Sequence, residues 1–379
     1  MRLRAVVIGA GWAGEGHIIG LRESGVEVVA LCSRTPGPAY DRASRLNVPQ
    51  VRFDWRAALE EFHPDIVSIA TPADTHRDIA EFATRSGCHL VCEKPLATNS
   101  VDARAMLVAV ERAGVKHGYA ATGRYSPTIL QSRLLIAQGV IGRIHDIESF
   151  VRMNLPVSLL PYCWFHCLGK GGGVLNNVFT HKLEQVLHAT QGSVIAATGE
   201  ARLIGDRAPV GPTIHDFRDM VGLMGTWDPQ QAKEWEPVDA DMVYTVTAQV
   251  RMADGNIANA LFRGTALGTA QQPECLIFHG DSGSLSMSGS HGSFDQIQLS
   301  KPGQVSWDEV PISQEIVVRS ALTTDFYQRC WNKFFQEFVA DVGGGTDSHY
   351  PTFRDGSTAV EVMEIARAGY GWRLVPGQP

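Results

Sequence analysis

Three stretches of this chain carry residue types at spacings that could do chemistry. Gly9, Gly11 and Gly14 stand as G-x-G-x-x-G, with Trp12 and Ala13 between them, directly after an apolar run and before a helical pattern. The three glycines serve different mechanical ends, namely a tight turn, close approach of the backbone to a pyrophosphate, and close packing of helix on strand. The phosphates of a dinucleotide would then rest at the positive end of that helix. The second apolar run ends Leu31-Cys32-Ser33-Arg34-Thr35, without the acidic residue that would bind a ribose 2′-hydroxyl. Ser33 and Thr35 can donate hydrogen bonds and Arg34 can pair with a 2′-phosphate, which favours NADP, with NAD as the alternative if Arg34 only packs on the adenine. The third stretch is GGGVLNNVFTHKLEQ, Gly171 to Gln185. Its His181 titrates near working pH and can take a proton from an alcohol, or it is a core histidine satisfied by backbone. Asn177 could bond a substrate hydroxyl, or only the backbone at a helix start.

The elements that must position these groups are readable from periodicity. RAVVIGA, VEVVALCS, DIVSIAT and HLVCE read as strands, alternating with the helical patterns EGHIIGLRESG, PAYDRASRLN, HRDIAEFATRSG and SVDARAMLVAVERAG. That alternation predicts an α/β, doubly wound Rossmann domain over residues 1–123. SPTILQSRLLIAQG is one more helix. Beyond it HDIESFVRM, YTVTAQVRMADGNIANALFRG, ECLIFHG and SLSMSGS alternate with period two, and KFFQEFVADV and DGSTAVEVMEIARAG have helical spacing. Residues 124–379 are therefore expected to form an α+β domain around a mostly antiparallel sheet. The segment 205–237, rich in proline, aspartate and tryptophan, has no clear period and reads as a long inserted loop acting as a lid or a subunit arm.

Composition narrows the partners. A chain of 379 residues with 44% hydrophobic content can bury two cores, and a formal charge of −7 without charge runs offers nothing to a polyanion. Nucleic acid and membrane surfaces are thus poor partners, and a small molecule is the expected one. The seven scattered cysteines suit reduced thiols. Cys163, His166 and Cys167 lack a second ligand pair at finger spacing, so no metal is expected. The apolar run at the amino terminus is too short for a secretion signal or a membrane span, which leads to an expected cytoplasmic location.

Two further motifs join the glycines: Ala70-Thr71-Pro72 with His76 after the third apolar run, and Glu93-Lys94-Pro95 after the fourth. Together with Arg124 and Pro127, Gly139-x-x-Gly142, Trp164 before the triple glycine and Asp355-Gly356, they make the chain resemble the family of glucose-fructose oxidoreductase, inositol dehydrogenase and the rhizopine-catabolism dehydrogenase. The resemblance covers nearly the whole chain apart from the insertion. It implies that residues 124–379 are a substrate-binding and oligomerisation domain with a large, open, mostly antiparallel sheet. It also implies a hydride transfer between NAD(P) and a secondary alcohol or ketone of a sugar, polyol or related cyclic substrate, in a homo-oligomer such as a dimer or tetramer. It further implies that Lys94 reaches nicotinamide and substrate, that Glu93 binds on the cofactor side, that Pro95 follows a cis bond, and that Thr71, Pro72 and His76 border the cofactor. His181 falls on the family histidine, whereas the family aspartate four residues earlier is Asn177 here, and Glu184 is the acidic position after it. Two rivals remain: an enzyme that retains its cofactor and couples transient oxidation to elimination or hydrolysis, and a non-catalytic NADP-binding protein. Trp164, Tyr162, Trp227 and Trp235 are candidates for an apolar wall against a sugar ring, while His188 and Asp241 read as structural.

Overall fold

The computed structural model describes residues 2–153, 159–223, 226–268, 273–290, 293–320, 325–345 and 349–370. The first half alternates β1 (Arg4–Ile8), α1 (Trp12–Glu23), β2 (Glu27–Cys32), α2 (Pro36–Arg45), β3 (Gln50–Arg52), α3 (Trp55–Phe62), β4 (Ile66–Ile69), α4 (His76–Arg85), β5 (His89–Cys92), α5 (Ser100–Ala113) and β6 (His117–Tyr119). The six strands are parallel, in the order β3-β2-β1-β4-β5-β6. The order reverses between β1 and β4, and the crevice at the carboxyl ends of strands at such a switch point is where α/β sheets bind ligands. The glycine turn follows β1, Ala70-Thr71-Pro72 follows β4 and Glu93-Lys94-Pro95 follows β5, so three motifs far apart in sequence share one edge of the sheet.

Four strands were legible from the sequence, and the structure corrects that number to six. β3 and β6 have three residues each, too few to show a period. α3 is fixed at its start by Asp54, whose carboxylate accepts from the Arg56 amide at 2.8 Å.

α6 (Pro127–Ala137), started by Ser126 and Pro127, leads to the second sheet. Then follow β7 (Ile144–Arg152), α7 (Thr180–Thr190), β8 (Ser193–Arg202), β9 (Arg207–Pro209), α8 (Phe217–Leu223), β10 (Trp235–Pro237), β11 (Val243–Arg251), β12 (Ile257–Thr265), β13 (Glu274–Gly280), β14 (Gly283–Ser290), β15 (Ser293–Ser300) and β16 (Asp308–Glu309). The last helices are α9 (Gln314–Ser320), α10 (Phe326–Val342) and α11 (Phe353–Ala368). Eight strands form the sheet β16-β15-β14-β13-β7-β12-β11-β8, antiparallel throughout except for the parallel pair β7 and β12. Buried and more exposed residues alternate along β11 and β12, as one covered face requires.

The inserted segment departs from the expected loop. β9 and β10 pair antiparallel, and α8 lies between them; residues 224–225 fall outside the described set. Trp235 pairs with Pro209 and Glu236 with Ala208, so the ladder rather than apolar periodicity orders the segment.

α10 returns from the far end of the chain to pack on α1. A Cβ on Gly16 would fall 2.1 Å from the Trp331 ring, and one on Gly20 would fall 2.5 Å from Phe335. Two glycines and two aromatic residues, each pair four residues apart, thus bring the helices into close contact. Among the described residues no helix is long and apolar enough to cross a membrane.

Candidate functional site

A cleft of about 280 Å³ runs from the glycine turn to the start of α7. At one end Gly9 adopts φ +119°, and a Cβ there would meet the Ala70 carbonyl at 2.1 Å. A Cβ on Gly14 would lie 1.9 Å from the Gly9 carbonyl, so this turn excludes side chains at both positions. Gly11 is the N-cap of α1 and no side chain caps the helix, which leaves the first-turn amides to a ligand. Gly11, Trp12 and Ala13 line the cleft, as do Thr71 and Pro72 from the β4 end. These features fit the pyrophosphate of a dinucleotide. Ser33 and Arg34 lie outside the lining: the Ser33 amide donates to the Arg52 carbonyl at 3.0 Å, and Arg34 is exposed. His76 is fully buried, with its ring nitrogens 2.8 Å from the Thr71 carbonyl and 3.1 Å from the Leu96 carbonyl. It therefore holds the Thr71-Pro72 turn and is not part of the cleft lining. Burial depresses its pKa.

Lys94 lines the same cleft. The Lys94-Pro95 bond is cis. The lysine Nζ donates to Asn177 Oδ1 at 3.1 Å. Burial favours the neutral amine and lowers the lysine pKa, against the opposing pull of the Glu93 charge. Glu93 is itself occupied: one carboxylate oxygen lies 3.2 Å from His17 Nε2 and the other accepts the Lys94 amide at 3.0 Å. Burial alone would raise the Glu93 pKa, but His17 and Lys94 outweigh it and hold the carboxyl below its ordinary range. His17 Nδ1 lies 2.7 Å from Ser68 Oγ, so a buried chain from β4 through α1 fixes the base of the lysine loop. Sequence reading missed His17; its only signal was a polar residue on the buried side of α1.

The triple glycine is a thread through a tight gap. A Cβ on Gly172 would lie 2.4 Å from the Phe165 carbonyl, and Gly173, at φ +92°, would collide with Asp241. Asp241 accepts the Leu175 amide at 2.7 Å and pairs with Arg367 at 3.1 Å, which starts the helix that follows. That start is a π-helical turn, Leu175–Phe179, running into α7. Such turns are frequent at functional sites. Asn177 bonds both ways: its amide nitrogen donates to the Gly171 and Gly173 carbonyls at 3.1 and 2.8 Å, and its oxygen faces Lys94. His181, four residues on, lines the same cleft beside Gly123. A Cβ on Gly123 would approach the His181 ring nitrogen Nδ1 to 3.5 Å.

Other residues divide between cleft and core. Trp164 lines the cleft, whereas Tyr162, Trp227 and Trp235 do not; the Tyr162 hydroxyl instead lies 2.9 Å from Cys167 Sγ. Glu184 and His188 face Arg124, at 3.3 and 2.7 Å, in the interior behind α7. Burial pushes Glu184 up to about 8 and His188 down to about 2. The arginine can only donate, so His188 Nδ1 accepts and the ring is neutral. Lining residues absent from the sequence reading are Tyr327 and Trp331 of α10, His215 to Phe217 of the insertion, and the buried pair of Lys182 with Glu274 at 2.6 Å. Among the described residues, the metal-capable cluster is Asp146, Glu148 and His279 on the large sheet, outside the cleft lining, and not the cysteine group.

Comparison with known proteins agrees with this arrangement. Residues 3–120 match the Gfo/Idh/MocA profile described as an oxidoreductase family with an NAD-binding Rossmann fold, and residues 129–286 match the Gfo/Idh/MocA C-terminal domain. The chain is 33% identical over 142 residues to D-apiose dehydrogenase of Paraburkholderia graminis, covering 37% of this chain and 38% of that one. It is 30% identical over 156 residues to levoglucosan dehydrogenase of Pseudarthrobacter phenanthrenivorans, covering 41% and 40%. D-glucoside 3-dehydrogenase of Escherichia coli is 26% identical over 60% of this chain and 62% of its own. The chain thus matches less than two thirds of the length of these curated relatives. Among solved structures, an oxidoreductase domain protein from Kribbella flavida superposes with a TM-score of 0.80 at 21% identity over 96% of both chains. A levoglucosan dehydrogenase in complex with NADH and L-sorbose superposes with a TM-score of 0.76 at 22% identity over 97% of both, a likeness of fold. With both halves matched, the chain belongs to the Gfo/Idh/MocA family of oxidoreductases.

Proposed function

We propose that this chain is an NAD(P)-dependent dehydrogenase or reductase acting on a secondary alcohol or its ketone in a sugar, polyol or related cyclic substrate. The observation that carries the reading is the single cleft shared by the uncapped start of α1, Lys94, Asn177 and His181. When bound, the nicotinamide gives or accepts the hydride. The chain's own groups do the rest. Asn177 directs the Lys94 amine, and the amine holds the substrate oxygen where negative charge develops. His181 exchanges the hydroxyl proton from the same helix. Trp164 offers an apolar face to a ring, and the buried Lys182 and Glu274 offer charge to its hydroxyls. The names of the matched relatives, acting on apiose, levoglucosan and glucosides, support a carbohydrate substrate.

The finer parts of the reading rest on individual residues. NADP is preferred over NAD because the end of β2 carries Ser33 and Arg34 and no carboxylate. The protein works in the cytoplasm as a dimer or tetramer, in keeping with its membership of the family. The test is a panel of apiose, levoglucosan, alkyl glucosides and inositols, each incubated with NAD and with NADP and followed by nicotinamide absorbance. Reduction of the cofactor with at least one member supports the reading. Tight NADPH binding with no turnover on any member contradicts it and favours a non-catalytic role.

A further inference from the structure

The inserted segment reaches the dinucleotide end of the cleft. Asp216 packs against the glycine turn, its Cβ 3.7 Å from where a Cβ of Gly11 would stand. The next residue, Phe217, stacks on Trp12 with ring centroids 6.1 Å apart and planes 29° from parallel. Arg218 then bridges back to the first turn of α1: its Nη1 donates to Glu15 Oε2 at 2.9 Å, while Nη2 holds Asp216 Oδ2 at 2.9 Å. Arg42 of α2 completes the contact, donating from Nε to the Ala10 carbonyl at 3.2 Å and approaching Asp216 Oδ2 at 3.7 Å. His215, Asp216 and Phe217 line the same cleft as Gly11, Trp12 and Ala13.

Two physical points decide what this contact does. Glu15 and Asp216 are opposed by Arg42, Arg45 and Arg218, so three cations meet two anions and the closed segment does not repel a pyrophosphate. The Arg218 side chain is 44% exposed, which makes its bridge weak and salt-sensitive, suited to repeated opening. A dinucleotide at the first turn of α1 would share the cleft with this segment, which is held there by contacts to Trp12 and Glu15 of α1 and Arg42 of α2.

We infer that residues 213–223 form a clasp that closes over the bound dinucleotide and limits its exchange, so that the cofactor leaves only when the Arg218–Glu15 and Phe217–Trp12 contacts open. This rests on the reading of the cleft as a nicotinamide dinucleotide site. The clasp gives the cofactor a residence time set by the insertion rather than by the phosphate contacts alone. It acts on exchange and takes no part in the transfer itself.

The test preloads the full-length protein with NADPH, or with NADH if that binds better, and measures release by stopped-flow fluorescence after a chase with excess oxidised cofactor. Association is measured separately by mixing. In the double variant Phe217→Ala, Arg218→Ala both association and release should speed up by about tenfold, while Kd moves far less, the signature of a removed barrier. Release from the unaltered protein should also accelerate with salt, and the variant should lose that dependence. Unchanged rates overturn the clasp, and so does faster release with unchanged association, which would make these residues direct cofactor contacts. Hydrogen exchange of residues 213–223 in the unaltered protein gives a readout independent of the variant: protection should rise when cofactor is added, and no change overturns the proposal. Failure of the unaltered protein to bind either reduced cofactor would instead overturn the dinucleotide reading on which the clasp rests.

Discussion

Lys94 Nζ and Asn177 Oδ1 meet at 3.1 Å across the cleft, an amine from the end of the Rossmann sheet held by an uncharged oxygen from the π-turn that opens α7. Because the oxygen carries no charge, it directs the lysine without holding it protonated. Burial then keeps the amine closer to its neutral form than an ordinary lysine. Asn177→Asp places a carboxylate at this contact and should favour the ammonium. Because the ammonium form of Lys94 is the one that meets the charge developing on the substrate oxygen, the limb of kcat/KM that falls as pH rises should move to higher pH, by roughly 1 to 3 pH units. A profile left in place by the substitution would show that this contact does not govern the titration.

His181 and Lys94 make separate contributions in this account, and His181→Ala separates them. The variant should lose roughly 10² to 10⁴ of kcat for oxidation, the range of a positioned acid or base, with cofactor affinity kept. A variant with the rate and pH profile of the unaltered protein would assign the proton to Lys94 or water and leave His181 a structural residue beside Gly123.

Much of this arrangement was legible in the sequence, because the relevant signals are local. The glycine spacing, the alternating runs and the residues after β4 and β5 each point to the carboxyl edge of a parallel sheet. The groups that were not legible depend on contacts between distant parts of the chain. Trp331 and Tyr327 line the cleft because α10 docks on Gly16 and Gly20 of α1. Glu93, which the resemblance puts on the cofactor side, lines the cleft, and the partners that engage its two oxygens, His17 and the Lys94 amide, could not be read from the sequence. The insertion has no period because its order comes from the pairing of β9 with β10 and from Arg218 on Glu15.

The α1–α10 contact predicts a stability effect. Gly16→Ala would drive a methyl group into the Trp331 ring, and the rigid neighbours leave it no room. The expected loss is about 1 to 3 kcal/mol in denaturant unfolding, the usual cost of overpacking. Gly25→Ala offers no control because φ is positive there, but Gly37→Ala, with open space around it, should be within about 0.5 kcal/mol of the unaltered protein.

Cofactor choice is tested at Arg34. Arg34→Ala should weaken NADPH by about 1.5 to 3 kcal/mol, the value of a hydrogen bond to a charged group, and leave NADH nearly unchanged. Equal affinities for the two cofactors in a fluorescence titration, before and after substitution, would remove the preference.

The buried core behind α7 predicts a pH dependence of folding. His188 is held down to about 2 in the fold against 6.5 when unfolded, so the unfolded chain binds the extra proton between those values. Stability from this group is present above about 6.5 and falls as the pH drops below it. Glu184, raised from 4.5 to about 8, acts in the opposite sense as pH rises through that interval. The signature of His188 is therefore the difference between the unaltered protein and His188→Gln, which keeps an acceptor for Arg124. The variant should lose less stability on acidification from about pH 6.5 to about pH 5, measured by urea unfolding, and parallel curves would contradict the assignment.

The most direct test of the central claim is Lys94→Met, assayed on the best substrate of the carbohydrate panel alongside cofactor titration. The account predicts a fall in kcat of roughly 10² or more with the Kd for NADPH or NADH nearly intact, because the lysine meets the charge that develops on the substrate oxygen and not the dinucleotide. Normal turnover in that variant would contradict it and reduce the Glu93-Lys94-Pro95 loop to a structural turn.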